Sequence, residues 1–94
     1  MTAYWIAHVT ITDPEAYAEY RKRAAPAFAR YGAEFLARGG AAETLEGPAL
    51  QLHVVIRFPD LASARACYDS PEYREARRHR EAAAEAHLVI VEGL

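Results

Sequence analysis

The chain has 94 residues, of which 52% are hydrophobic and 26% charged, with a formal net charge of −2. This balance excludes a disordered chain, which would be poorer in apolar residues, and a general polyanion binder, which would be basic overall. A domain this small buries only about two-thirds of its unfolded surface, so its core is thin and a second copy is a common remedy.

Residues 3 to 11, AYWIAHVTI, read as a strand, because β-branched and aromatic side chains suit a pleated surface. Trp5, Ala7, Val9 and Ile11 form one face, and Tyr4, Ile6, His8 and Thr10 the other. The segment TDPEAYAEYRKRAAPAFARYG reads as a helix. Thr12 with Glu15 fits a capping box, and Asp13-Pro14 fits an N-cap followed by proline in the first turn. Tyr17, Tyr20, Ala24, Phe28 and Tyr31 recur at helical spacing as one apolar stripe. Pro26 should kink or split this helix, and Gly32 suits a left-handed cap at its end.

AEFLARGGAAETLEG reads as a second strand interrupted by Gly39 and Gly40, since paired glycines mark a bulge or bend. Gly47-Pro48 makes a turn. QLHVVIRF is the clearest strand, with Leu50, Leu52, Val54, Ile56 and Phe58 alternating with Gln51, His53, Val55 and Arg57. Pro59-Asp60 opens a helix over DLASARACYD. Ser70-Pro71 breaks it and caps a new segment running to about Ala84. HLVIVEGL closes the chain as a strand.

The order β-α-β-β-α-β is the ferredoxin-like arrangement, an α+β fold with a four-stranded antiparallel sheet and its helices on one face. Residues 1–94 form one such domain. The uncovered face would carry Ile6, Val55 and Leu36. A second copy covering it, sheet against sheet, would make a dimeric α/β barrel. AYWIAHVTITDPEAYAEY, EFLARGGAAETLEG and YDSPEYREARRHREAAAEAHLVIVEG resemble domain-of-unknown-function family 1330 over nearly the whole chain. The resemblance implies the same ferredoxin-like dimeric α/β barrel and no established reaction. It also leads one to expect a carboxylate where this chain has His8.

Strand alternation places His8, Arg38, His53 and Arg57 toward the barrel interior, with Tyr4 at its edge. Arginine suits planar recognition of carboxylates, phosphates or enolates, and histidine carries protons near neutral pH. His8 and His53 are therefore the catalytic candidates, and Tyr4, Arg38, Arg57 and Arg80 the ligand-binding candidates. The structural alternative pairs these groups with Glu34, Glu43 or Glu92. The run from Ser70 to Glu85 holds four arginines and four glutamates, which describes a solvated, ion-paired helix and argues against nucleic acid. Arg80 alone falls on its apolar side, so it needs a defined acceptor.

The four histidines show no metal-ligand motif, and no metal or other cofactor is expected. Cys67, the single cysteine, reads as a buried, inert thiol and fits a reducing compartment. MTAYWIAHV lacks a basic segment and a cleavage site, and no apolar run approaches a membrane span, so the expected location is the cytoplasm. Two functions fit these readings. One is a homodimer whose polar barrel cavity binds or transforms a small organic anion without a bound cofactor. The other is a non-catalytic interaction or regulatory module whose polar residues serve the dimer interface.

Overall fold

The computed structural model describes residues 1–94. In chain order it contains β1 (Ala3–Ile11), α1 (Pro14–Arg30), β2 (Glu34–Arg38), β3 (Leu52–Phe58), α2 (Leu61–Asp69), α3 (Pro71–Glu81) and β4 (Ala84–Glu92). The strands form one antiparallel sheet in the order β2-β3-β1-β4. This is the ferredoxin-like fold, with its second helical unit broken in two at Ser70-Pro71. No helix is long and apolar enough to cross a membrane.

Alternation decides which side of the sheet is covered. Trp5, Ala7 and Val9 of β1 and Leu52, Val54, Ile56 and Phe58 of β3 are buried on the helix side. Trp5 anchors this core. Its ring meets Phe28 of α1 and Tyr73 of α3 edge-on, both at 5.2 Å, a geometry that aligns the positive ring edge with the negative ring face. On the other side, Leu36, Val89 and Val91 are about half exposed, at 50, 53 and 45%.

Each helix is started by a side chain that accepts an otherwise unpaired backbone N–H. Asp13 accepts from Ala16, Asp60 from Ser63, and Ser70 from Tyr73. The Asp13-Pro14 start is thus the one the chain uses. Gly32, at φ +77°, ends α1, where Ala33 N–H donates back to Phe28 C=O.

Three expectations fail on local grounds. α1 is not split at Pro26 but runs on as one helix, because Pro26 lies on the exposed face, where water can satisfy the carbonyl that loses its donor. β2 ends at Arg38 instead of continuing beyond the glycines, because Gly39, at φ +75°, turns the chain out of the sheet. α3 stops at Glu81, and Ala84 already belongs to β4.

Candidate functional site

α1 docks chiefly along α3 and meets the sheet through side chains such as Phe28, whose ring packs on Trp5. The gap beneath the helix is a cavity of about 300 Å³, at the lower end of the range for small-molecule sites. Its walls are Trp5, Ala7, Val9, Leu52, Val54 and Ile56 from the sheet, Tyr17, Tyr20, Ala24 and Phe28 from α1, and Tyr73 from α3. Small residues on both sides, Ala7 and Ala24 among them, leave the space unfilled. The exposed lining residues, Arg21, Ala25, Ala29, Phe35 and Arg38, sit between α1 and β2 and mark the mouth.

The charges of this cavity have one sign. Arg21, Arg38 and Arg80 line it, and no Asp, Glu or His does. The Arg21 guanidinium lies 5.0 Å from the Tyr17 ring centre and that of Arg38 lies 4.5 Å from Phe35. Arg80 is more enclosed. Its guanidinium lies 5.5 Å from the Tyr20 ring centre, and its Nε is shielded from solvent without a hydrogen-bond partner.

Beside it, the Tyr20 and Tyr73 hydroxyls share a hydrogen bond of 2.8 Å. Burial pushes the Tyr20 hydroxyl well above the ordinary tyrosine value, and the adjacent Tyr73 adds to this. Burial also raises Tyr73, against the pull of Arg80. Burial opposes the charge on Arg80, but the Tyr73 and Tyr20 oxygens outweigh it, and its pKa lies above the usual arginine value. The cavity therefore presents a permanent cation and two neutral hydroxyls in apolar surroundings, a set suited to holding an oxyanion.

The residues singled out from the sequence do not converge on one cavity. His8 and His53 do meet on the uncovered face, with their Nδ1 atoms 2.8 Å apart. Arg57 lies on that face too, but it is ion-paired with Glu34 within the chain. Tyr4 is the cross-strand neighbour of Arg57. It stands four residues from His8 along β1, roughly 13 Å at about 3.3 Å per residue.

Arg38 is on the opposite side of the sheet from its expected position. Phe35 pairs with Ile56 but Ala37 pairs with Val55, so Leu36 is an extra, bulged residue. Beyond the bulge Arg38 pairs with Val54 and shares its helix-side face. Arg80, expected on a packing face in need of an acceptor, lines the interior cavity.

Sequence reasoning missed Arg21 and placed Tyr17 and Tyr20 in an apolar stripe with no polar role. A signal was present: Arg21 lies four residues after Tyr17 and three before Ala24, within the apolar stripe of α1, as Arg80 does in α3. The thiol of Cys67 is buried, and burial pushes its pKa up to about 12, the state of an inert thiol.

Among curated proteins, none matches the chain. Among solved structures, RPA0582, a protein of unknown function from Rhodopseudomonas palustris, is 25% identical, with a TM-score of 0.83 over 99% of this chain and 82% of that one. A dimeric ferredoxin-like protein of unknown function from Jannaschia sp. CCS1 is 14% identical, with a TM-score of 0.73 over 99% of this chain and 100% of that one. SnoaB, a cofactor-independent oxygenase from Streptomyces nogalater, is 16% identical, with a TM-score of 0.68 over 99% of this chain and 93% of that one. The family model described as "Domain of unknown function (DUF1330)" matches residues 2–94, and the chain belongs to that family.

Proposed function

We propose that the protein is a homodimer that binds a small, largely apolar organic anion in the cavity beneath α1, with Arg80 as the group that holds the charge. One observation carries this reading: Arg80 is enclosed in an aromatic-lined cavity that contains no carboxylate, and its Nε has no acceptor. The Tyr73 and Tyr20 oxygens support the charge of this partly buried guanidinium, but one donor is left unfilled and carries a desolvation cost, and a ligand carboxylate, phenolate or enolate would fill that position. Of the two hydroxyls in the Tyr20–Tyr73 pair one donates to the other, and the remaining O–H is available to the same oxyanion. Arg21 and Arg38 at the mouth attract ligands of the same sign. This reading moves the anion from the face between subunits to the interior of one chain. Arg57 and Tyr4 have no part in it, because Arg57 already has Glu34.

The dimer is supported by the apolar residues Leu36, Val89 and Val91 exposed on the uncovered face, and by the description of proteins of this fold as dimeric. SnoaB is a cofactor-independent oxygenase, and the likeness to that protein carries the fold alone.

Calorimetry with matched aromatic carboxylates and their neutral amides tests the ligand. The acids should bind and the amides should not, and Arg80→Met should abolish acid binding. Equal binding of acids and amides, or an unaffected Arg80→Met variant, would refute the assignment. Sedimentation of the parent chain and of Val89→Glu tests the dimer. A monomeric parent sinks that part.

A further inference from the structure

The uncovered face holds a second arrangement, independent of the cavity. His53, His8 and His87 stand in one row across β3, β1 and β4, because His8 pairs with His53 on one side and with His87 on the other. All three border one hollow, together with Glu43 and Glu46 from the connection between β2 and β3. The Nδ1 atoms of His8 and His53 are 2.8 Å apart, with the rings inclined at 69°.

Directly opposed residues on antiparallel strands hold their Cβ atoms about 4.5–5.5 Å apart, a span from which two imidazoles can reach one ion. The 2.8 Å separation is that of an Nδ1–H···Nδ1 hydrogen bond and shows that the two ring nitrogens already meet. The choice of ion follows from the donors: imidazole suits Cu(II) and Ni(II), and Cu(II) stands highest in affinity among the divalent first-row metals.

We propose that His8 and His53 are the core of a Cu(II)- or Ni(II)-binding site on the uncovered face of the sheet, with His87 as the third nitrogen donor. As the side chains rest, no three His, Cys, Asp or Glu donors are gathered for a metal. The pair supplies two. In the single chain His87 is 62% exposed and held only by a 3.5 Å contact with Glu85, so it can turn toward its neighbour His8, and in the proposed dimer the site borders the space between the two sheets. In the neutral pair one Nδ1–H donates to the other Nδ1. On binding, the donor ring moves that proton to its own Nε2, and both Nδ1 lone pairs face the ion. Glu43 and Glu46 lower the cost of bringing a dication to this hollow. Nothing in the proposal draws on Arg80 or on the interior cavity.

The test is titration of the intact protein with CuSO₄, and separately with NiCl₂, in a non-chelating buffer. Binding is followed by calorimetry and, for copper, by electron paramagnetic resonance. One Cu(II) should bind per chain, with splitting from at least two imidazole nitrogens. His8→Ala and His53→Ala should each weaken it tenfold or more, His87→Ala less, and His79→Ala, on α3, not at all. A circular-dichroism melt checks that each variant folds. Should either alanine variant melt early, His8→Gln or His53→Gln, which keeps a polar side chain of similar reach, carries the same expectation. Copper binding that is undiminished in the folded His8 and His53 variants, or that lacks imidazole splitting, overturns the proposal.

Discussion

The two faces of the sheet treat charge in opposite ways. On the uncovered face, Arg57 has its carboxylate, and both side chains are about half exposed, at 48% and 54%. On the helix side, Arg80 is enclosed, lies against tyrosine rings, and has no carboxylate. The difference separates a cation that the fold has already satisfied from one that it has not. Only the second leaves a donor open inside a cavity, and that is why the proposed anion is assigned to the cavity beneath α1 instead of the uncovered face.

The comparison can be tested first through stability. Trp5 is 2% exposed and touches Phe28, Phe58, Tyr68 and Tyr73. Trp5→Ala should cost about 3–5 kcal/mol in urea unfolding. Glu34→Ala, which removes the ion pair on the other face, should cost less than about 1 kcal/mol. Equal costs would mean that the uncovered face is as fully desolvated as the core, and the contrast between the faces would fail.

The second test is alkaline pH, and its sign follows from the helix-side groups. Burial raises the folded-state pKa of Tyr20 and Tyr73 above the ordinary tyrosine value, and that of Cys67 from 9.0 to about 12. A raised folded pKa means that the unfolded chain loses its protons first as pH rises. The stability these groups contribute is therefore intact below about pH 9, and each group removes up to about 1.4 kcal/mol per pH unit above its unfolded pKa. Melting temperature measured from pH 8 to 11 should fall, with the first part of the fall starting near pH 9 from Cys67. Cys67→Ala should flatten that first part, and Tyr20→Phe the part beginning near pH 10. A flat profile in the parent would mean that these groups reach water in the folded chain.

Much of this division was legible in the residues themselves. The period of two in β1 and β3 separates the helix side from the uncovered side, and the expected span of β1 is the observed one, Ala3–Ile11. The caps at Asp13 and Ser70 follow from their short acceptor side chains next to proline. Arg38 was not legible, because a bulge inserts one residue without any side-chain signature of its own. Leu36 looks like an ordinary strand residue, while the nearby glycines draw attention to the wrong place. The cavity was not legible either. It exists because alanines leave space between elements far apart in sequence, and an absence of volume has no periodicity. The pairing of His8 with His53 was anticipated as a convergence, but their alignment with His87 depends on the register of β4 against β1, which hydrophobic alternation alone does not specify.

A third test compares the arginines of the two faces without a ligand. Arg80→Met replaces an enclosed, incompletely partnered cation by an apolar side chain of similar length, so the free protein should be unchanged or stabilised by about 1 kcal/mol or more. Arg57→Met removes an exposed pair and should cost between zero and about 1 kcal/mol. Opposite signs sharpen the contrast. A large loss in Arg80→Met would instead assign that arginine to structural support of Tyr20 and Tyr73, and would remove the reason to expect an anion beside it.

The smallest effect should come from within the cavity, and it separates attraction from retention. Arg38 stands at the mouth, exposed, with its guanidinium over the Phe35 ring, while Arg80 stands inside with a solvent-shielded Nε. An exposed cation acts on an approaching anion through screened water, so it mainly sets the association rate and its salt dependence. A desolvated cation acts on the bound anion and sets the dissociation rate. Arg38→Met should therefore weaken binding of an aromatic carboxylate only a few-fold, by about 1 kcal/mol or less, mostly through slower association that disappears in molar salt. Arg80→Met should lose binding at every salt concentration. Stopped-flow kinetics at low and high ionic strength distinguishes the two. If Arg38→Met instead raises the dissociation rate as much as Arg80→Met does, the mouth closes over the ligand, and the boundary between satisfied and unsatisfied cations lies outside Arg38.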